Sequence, residues 1–198
     1  MLLNVLQVGE AVLRRRASPL PIDEIRSPAI QLLIENMRDT MREAPGVGLA
    51  APQIGIPLQL AVIEERAELL QDIRPEWLAE TERGPVPFHA IINPIIILGE
   101  ESVEFFEGCL SVARFGALVS RARRVTVECW NERAEPIRIE ASGWYARILQ
   151  HEIDHLNGYL YVDRMRPRSF MTVENYGRYW KDVSMAEVRR ALEAERDE

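Results

Sequence analysis

The stretch QHEIDHLNG, residues 150–158, contains two histidines four positions apart, with a glutamate directly after the first. An α-helix turns about 100° per residue, so His151 and His155 would lie one turn apart on the same face. At this spacing two imidazoles can converge on one divalent metal ion, while Glu152 can reach a water molecule at an open coordination position. The pattern is therefore suited to metal-assisted hydrolysis with a glutamate as general base.

Two histidines do not complete a metal site, and the same motif also occurs by chance on ordinary helices. Three residues are candidates for a third ligand. His89 lies in a polar stretch bracketed by prolines, and Glu174 follows His155 by 19 residues, a spacing at which some metalloproteases supply a glutamate. Cys109 ends a β-rich run, although a free cysteine is usually buried and inert. The residues alone leave all three candidates open.

The composition is that of a soluble globular protein. The 198 residues are 47% hydrophobic and 28% charged, which fits one domain with a sizeable core. A formal net charge of −7 argues against nucleic acid or an anionic membrane as the main partner. We find no signal peptide, and no apolar run approaches the roughly 20 residues that span a bilayer. Two cysteines are too few for a disulfide framework and favour a reducing compartment, although one bridge between them stays open.

Two amphipathic segments must position these candidate residues. Ser27 can cap, and Pro28 can begin, a helix whose apolar residues recur at helical spacing until APG (44–46) ends it. The second helix is expected to begin near Ser142, to carry the HEIDH motif and to end at Asn157. Its apolar residues predict that it lies in the core and directs its polar residues inward or into a cleft.

The chain between these helices is rich in strand patterns. LQLAVIEE (58–65) and AIINPIIIL (90–98) predict strands, and Pro94 predicts an edge or a bulge in the second. RRVTVECW (123–130) and PIRIEASG (136–143) alternate apolar and polar residues and predict a hairpin.

Three further regions complete the organisation. Residues 66–88 are polar and contain prolines, which predicts a surface excursion with about one helical turn. Cys129 shares a strand face with two valines and is predicted to be a small core residue. The tail from about residue 167 to 198 ends in an amphipathic, helix-favouring segment. We therefore predict a single α+β domain over residues 1–198.

Three separated segments carry a resemblance to a known family. GVGLAAPQIG (46–55), EGCLS (107–111) and HEIDH (151–155) resemble the signature motifs of the peptide deformylases, in the same order. Residues 141–165 look most like the branch of that family found in organelles and some bacteria. The resemblance implies mostly antiparallel sheets wrapped around a central HExxH helix.

The resemblance also implies a metal site and a reaction. One divalent ion per chain would be held by Cys109, His151 and His155, with ferrous iron as the physiological ion and zinc, nickel or cobalt as replacements. The family removes the formyl group from the N-terminal N-formylmethionine of nascent polypeptides and releases formate. Metal-bound water would attack the formyl carbon, with Glu152 as general acid and base.

Further site residues follow from the same resemblance. Gln53, through its side chain, and Leu110, through its backbone N–H, would stabilise the oxyanion, and a glutamine in the apolar AAPQIG fits this role better than it fits packing. The glycine-rich segment 46–55 would pair with the extended substrate peptide. The residues expected to contact the substrate are Val47, Gly48, Phe105, Gly108, Trp144, Arg147 and Ile148. For Arg147, peptide contact and exposure to solvent both stay open.

Two parts of the chain depart from the family pattern. ARFGALVSR (113–121) lacks the proline or acidic residue that many members carry there, so substrate residues beyond methionine are expected to be handled differently. The tail past Pro167 is only loosely family-like, and ribosome docking, dimer contact and packing are open roles for it.

The expected partners are N-formylmethionyl peptides and, near the exit tunnel, the ribosome, with no nucleic-acid specificity and no membrane. The chain is expected to be a monomer or a homodimer. A bacterial cytoplasm is the expected compartment, with an organelle matrix or stroma as the alternative if a transit peptide was trimmed.

Two other functions are compatible with an HExxH helix. An HExxH endopeptidase with Glu174 as third ligand would leave EGCLS and GVGLAAPQ unexplained. A metal-stabilised module that only holds peptide N-termini would not need Glu152.

Overall fold

The computed structural model describes residues 1–44 and 46–194. These residues form helices and strands with the following bounds: α1 Pro28–Glu43, β1 Gly48–Ala50, β2 Leu60–Glu65, α2 Pro75–Thr81, β3 Val86–Leu98, β4 Ser102–Cys109, β5 Val112–Ala122, β6 Arg124–Trp130, β7 Pro136–Ser142, α3 Gly143–Leu156, β8 Met171–Thr172, α4 Val173–Tyr179 and α5 Met185–Ala194. Among them, no helix combines the length and the apolarity that crossing a bilayer requires.

The strands form two antiparallel sheets. The larger has the order β1-β2-β3-β6-β7 and the smaller the order β4-β5-β8. The expected α+β fold with antiparallel sheets is therefore confirmed. β1 lies at one end of the larger sheet, so one of its edges has no strand partner among the described residues of that sheet.

The first helix begins where its capping signal predicts. The Ser27 side chain accepts a hydrogen bond from the Ile30 backbone N–H at 3.3 Å, and Pro28 occupies the first turn. The apolar face of α1 packs into a cluster with β1, β2 and β3 that includes Met37, Leu49 and Ile92. This cluster therefore packs against β1 and the residues after it, which belong to the glycine-rich segment 46–55.

The second predicted helix, α3, contacts strands of both sheets. Ser142 is its N-cap and Asn157 its C-cap, as the sequence predicts. Gly158 follows with φ of +80°, and a Cβ atom there would lie 2.9 Å from the backbone of Arg14, so both conformation and space require glycine. Because α3 is buried on more than one side, its polar residues near the C-terminal end are enclosed by protein.

Pro94 produces the predicted bulge, although β3 is not an edge strand. The register of β3 with β6 shifts between Ile92 and Ile95, and Asn93 adopts φ of +51°. Pairing with β2 ends at the Leu60–Ile92 pair, so Pro94 lies beyond the end of that neighbour. The missing N–H of proline therefore costs no ladder hydrogen bond on that side.

Residues 66–88 contain more regular structure than the sequence predicts. Besides a 3-10 helix at Ala67–Leu70, this region forms the two-turn helix α2 and the start of β3. The Trp77 ring in α2 packs edge-on against Phe105, with 6.0 Å between ring centroids. A long-range aromatic contact of this kind leaves no periodic signal in a short polar segment.

The C-terminal segment packs onto the smaller sheet. Met185, Val188 and Leu192 of α5 form an apolar cluster with Phe105 and Leu118 of β4 and β5. The predicted amphipathic helix is thus present up to Ala194, and the rest of that prediction falls on residues 195–198, outside the described part of the chain.

Candidate active site

Cys109, His151 and His155 lie together at the junction of β4 and α3. Their possible ligand atoms are all within 4.8 Å of one another, and Cys109 Sγ is 3.3 Å from His155 Nε2. With metal–sulfur and metal–nitrogen bonds of about 2.3 Å and about 2.0 Å, two tetrahedral ligands lie roughly 3.5 Å apart. The spacing and the donor types therefore fit one divalent ion.

Glu107 is a site residue that the sequence reasoning missed. Its Oε2 lies 3.1 Å from His151 Nδ1, and its carboxylate also accepts hydrogen bonds from Arg121 and Arg147. Burial disfavours its charge, yet the hydrogen bond with His151 and the charge of Arg121 outweigh burial and hold the pKa of Glu107 well below its usual range. A carboxylate that orients a metal-binding imidazole is a recurrent arrangement, and the position of Glu107 two residues before Cys109 was the available signal.

A second buried carboxylate extends this network. Arg121 contacts Asp154 on α3 as well as Glu107 on β4, and Arg164 donates two hydrogen bonds of 2.7 Å to Asp154. Removing one partner of such buried charges is strongly destabilising, because the other partner is left unpaired. The network therefore fixes α3 against the smaller sheet and with it the position of the two histidines.

Glu152 lies in a closely fitted recess beside β1. It is 3% exposed, and its Oε2 has no hydrogen-bond partner among the described residues. A Cβ atom on Gly48 would lie 2.2 Å from Glu152 Oε1, so this carboxylate occupies the space that any side chain at residue 48 would fill. Burial raises the pKa of Glu152 to about 7. A carboxylate with such a pKa can both take up and release a proton near neutral pH.

Gln53 is positioned by the 3-10 helix Ala51–Ile54 that follows β1. Its Oε1 accepts a hydrogen bond from the Ala50 N–H at 2.8 Å, which directs Nε2 toward Ser111 Oγ at 3.2 Å and Cys109 Sγ at 3.5 Å. The amide is buried, and its N–H₂ group faces the ligand cluster. It is thus a donor held in place beside the candidate reaction centre.

A cavity of about 590 Å³ opens beside these residues. This volume lies within the range of sites that enclose small ligands. Its lining includes the following residues named from the sequence: Val47, Gly48, Gln53, Gly108, Cys109, Leu110, Trp144, Arg147, Ile148, His151 and Glu152. The structure therefore brings a potential metal site, an unpartnered carboxylate oxygen and an amide donor to one cleft with apolar walls.

Comparison with known families agrees with this geometry. The model of the polypeptide deformylase family matches residues 2–170. The chain belongs to this family.

Curated relatives include organellar and bacterial deformylases. The chain is 47% identical over 173 residues to the chloroplastic peptide deformylase 1A of Solanum lycopersicum, covering 87% of this chain and 62% of that protein. It is 38% identical to the mitochondrial peptide deformylase of Homo sapiens, covering 91% and 73%. The chain thus spans less than two thirds of the tomato relative. The expected likeness to organellar members is confirmed.

A solved deformylase shares the fold. The Met-Ala-Ser-bound crystal structure of the class I type b peptide deformylase from Acinetobacter baumannii matches with a TM-score of 0.75 and 33% identity. The match covers 83% of this chain and 99% of that one.

Phe105 is the one predicted substrate residue that the structure does not bring to the cavity. It lies four residues before Cys109 on β4, and a strand advances about 3.3 Å per residue, so it is roughly 13 Å farther along. Its ring packs against Trp77 and the C-terminal helix instead, beneath the guanidinium of Arg147 at 5.3 Å. Phe105 is therefore a core residue of the apolar cluster on the smaller sheet, and the prediction that it contacts substrate is not supported by its location.

Arg147 lines the cavity of this deformylase-family chain but does not reach solvent. It is 3% exposed, and it donates hydrogen bonds to Glu107 and to the carbonyls of Val119 and Val103 at 3.0 and 2.9 Å. These contacts make it a buried cation that joins β4, β5 and α3.

The other two candidate ligands lie elsewhere. His89 Nδ1 is 2.8 Å from the Pro87 carbonyl and Nε2 is 2.9 Å from Tyr145 Oη, so both ring nitrogens are engaged. Glu174 is exposed and pairs with Arg114 at 2.6 Å. In the described part of the chain, the cluster of Cys109 with the two helix histidines is the group with metal-binding spacing. The geometry therefore does not support the hypothesis of an endopeptidase with Glu174 as third ligand.

Proposed function

We propose that this chain is a metal-dependent hydrolase that removes the formyl group from N-formylmethionine at the N-terminus of polypeptides and releases formate. The observation that carries the proposal is the cluster of three potential metal ligands, two of which, Cys109 and His151, line the same cavity as Glu152 with its unpartnered Oε2. Family membership supports the same reaction. The reaction class is hydrolysis of a linear amide.

Cys109, His151 and His155 would hold the metal ion. A divalent ion bound there would supply Lewis-acid activation of water and of the formyl oxygen. One thiolate and two imidazoles suit iron, zinc, nickel and cobalt alike, so ferrous iron rests on the family resemblance alone. Glu107 would keep His151 in the orientation that metal binding needs.

Glu152 would move the proton. Hydrolysis of the formyl amide adds water across the C–N bond, so one proton must travel from water to the departing amine nitrogen. The buried Glu152 carboxylate can accept that proton and then release it, because its pKa of about 7 lies near neutral pH. Gly48 leaves the space in which this carboxylate lies.

Gln53 and Leu110 would stabilise the negative charge on the formyl oxygen. The Gln53 amide is held by Ala50 and already directs its N–H₂ group at the Cys109 thiol. Leu110 follows the cysteine directly and lines the cavity. Removing one such donor commonly lowers the rate by about 10²–10³.

The cavity supports a peptide substrate that begins with methionine. Val47, Trp144 and Ile148 contribute apolar surface that suits a thioether side chain. Trp144 is held by a 3.1 Å hydrogen bond to Glu65 and by the guanidinium of Arg83, 4.5 Å from its ring. The free edge of β1 could pair with the extended peptide backbone.

The single domain over residues 1–198, the oligomeric state and the compartment stay predictions.

The test is formate release from formyl-Met-Ala-Ser by metal-loaded protein, with Glu152→Gln measured beside the wild type. We expect the variant to retain its metal and to lose at least about 10²-fold in turnover, the low end for a lost general base. Unchanged turnover in the variant would remove Glu152 from the mechanism. A fully metallated wild type that releases no formate would favour a peptide-holding module instead.

A further inference from the structure

The mouth of the cavity includes residues that follow the family match. That match ends at residue 170, and the next residues form β8, which pairs with β5 at Phe115–Thr172 and Gly116–Met171. Val173, the first residue of α4, lines the cavity. A segment of the C-terminal tail therefore contributes directly to the site.

An apolar shelf lies at this mouth. The Phe115 and Phe170 rings stack face to face, with 4.9 Å between centroids and 8° between planes. Phe115 and Val173 both line the cavity. We call Phe115, Phe170 and Val173 the rim shelf. The three side chains are 38%, 41% and 54% exposed, although each is large and apolar.

The rim shelf is more than a set of scattered surface residues. Single exposed apolar side chains are normal, whereas several exposed apolar side chains grouped beside a cleft favour binding of an apolar group. Beside it, Arg114 and Glu174 pair at 2.6 Å, and Arg114 also lines the cavity. Because the two charges offset each other, this part of the mouth has no net charge to attract an ionic side chain.

The orientation of a bound peptide follows from the position of the reaction centre at the Cys109 cluster. The formyl group is the N-terminal end of a formylated peptide, and under the proposed function it must lie at the Cys109 cluster. Only residues after the methionine can then extend to the exposed mouth. Phe115 precedes Gly116, whose register partner Gly108 precedes Cys109, so the two places lie close together. An extended chain advances about 3.3 Å per residue, so we expect the second or third residue, the first ones after methionine, to lie at the mouth.

We propose, building on the proposed function, that the rim shelf binds an apolar side chain of the second or third substrate residue. The C-terminal segment is thereby a specificity element of this chain: β8 holds Phe170 and Val173 beside Phe115. A peptide with an apolar residue at the position that contacts the rim shelf should be deformylated faster than a peptide with a polar residue of similar size there.

The experiment compares leucine with asparagine, which are similar in size. The metal-loaded wild type is assayed with formyl-Met-Xaa-Ser and formyl-Met-Ala-Xaa, where Xaa is leucine or asparagine. Val173→Thr keeps the side-chain shape and removes apolar surface, and it should lower the Leu/Asn ratio of kcat/KM about fourfold. Phe115→Ala should lower it at least about tenfold. Fluorescence titration with the product peptides Met-Leu-Ser and Met-Asn-Ser gives their dissociation constants, which show whether the preference for leucine is also present in binding.

The matched control is Val8→Thr. Val8 is 50% exposed and does not line the cavity, so the same change there should leave the ratio at its wild-type value. Thermal melting of Phe115→Ala checks its fold, and Val173→Thr, at an exposed position, carries the test if Phe115→Ala unfolds.

The outcomes separate the two proposals. A lower ratio at either substrate position in Val173→Thr supports the inference and identifies the residue that contacts the shelf. A wild-type ratio at both positions, in an enzyme that does release formate, overturns the inference and leaves the proposed function intact. A metal-loaded wild type that turns over no formylated peptide overturns both.

Discussion

The two cysteines of this chain lie in contrasting surroundings. Cys109 ends β4 beside His155 Nε2, the Gln53 amide and the Ser111 backbone N–H, all within 3.5 Å of its sulfur. Cys129 lies in β6 with its side chain in an apolar cluster that includes Val127. One thiol therefore faces imidazole and amide groups, and the other lies in a mainly apolar cluster.

The contrast appears in the acidity of the thiols. Burial opposes ionisation of Cys109, but the charge of His155 and the hydrogen bonds with His151 and His155 outweigh it, so the pKa of Cys109 lies well below its usual value. At Cys129 burial prevails and raises the pKa to about 11. Burial alone makes a cysteine inert, and it is the neighbouring imidazoles that make one a ligand.

The largest effect should come from removing each thiol in turn. Cys109→Ala should abolish metal binding at stoichiometric metal and reduce formate release to background, because one of three ligands is lost. Cys129→Ala should keep metal and activity and lower the free energy of unfolding by about 1 kcal/mol. Metal analysis, formate assay and denaturant unfolding measure the three quantities.

Two outcomes would break this contrast. Metal retained at full occupancy in Cys109→Ala would exclude the thiol as a ligand. Loss of metal in Glu174→Ala would instead support the hypothesis of an endopeptidase with Glu174 as third ligand.

A smaller effect should follow from changing the carboxylate beside each cysteine. Glu107→Gln should weaken metal binding about 10- to 100-fold, because a neutral amide holds His151 less firmly. Its thermal midpoint should also fall, since Arg121 and Arg147 lose a buried counter-charge.

The control is Glu128→Gln, next to Cys129. Glu128 is exposed and lies 3.5 Å from Arg138, a surface pair that contributes little. Competition with a chelator measures both affinities. Equal affinities in the two variants would mean that Glu107 has no part in metal binding.

The smallest effect should come from one added methyl group. Gly48→Ala places a Cβ atom where Glu152 Oε1 lies, so the carboxylate must shift, and kcat should fall about tenfold while metal content stays constant. Gly84→Ala is the matched control, because a Cβ atom there meets no atom within 4 Å. Steady-state kinetics and metal analysis measure kcat and metal content in both variants. A kcat of Gly48→Ala equal to that of the wild type would show that the recess does not position Glu152.

Local patterns predicted the elements well. The Ser27 cap, the limits of α3 at Ser142 and Asn157 and the β6–β7 hairpin are present as expected. Each depends on interactions between residues a few positions apart, such as capping and alternation, which a sequence shows directly.

Residues whose role depends on distant partners were predicted less well. Glu107 contacts His151 across 44 positions, and Arg147 contacts Val103 across the same separation. Phe105 is apolar like a pocket residue, but the C-terminal helix covers it. Residue type alone does not separate a pocket wall from a core contact, because both bury apolar surface.

The sequence by itself determined the ligand types and the helical spacing that directs His151 and His155 to one side of α3. The family motifs then identified Cys109 as their partner. Only the tertiary structure decided that the end of β4, 42 positions before His151, meets that helix face while His89 and Glu174 do not. The reason is physical: helix periodicity is a local property, whereas the convergence of ligands depends on how the two sheets and the buried charges pack around α3.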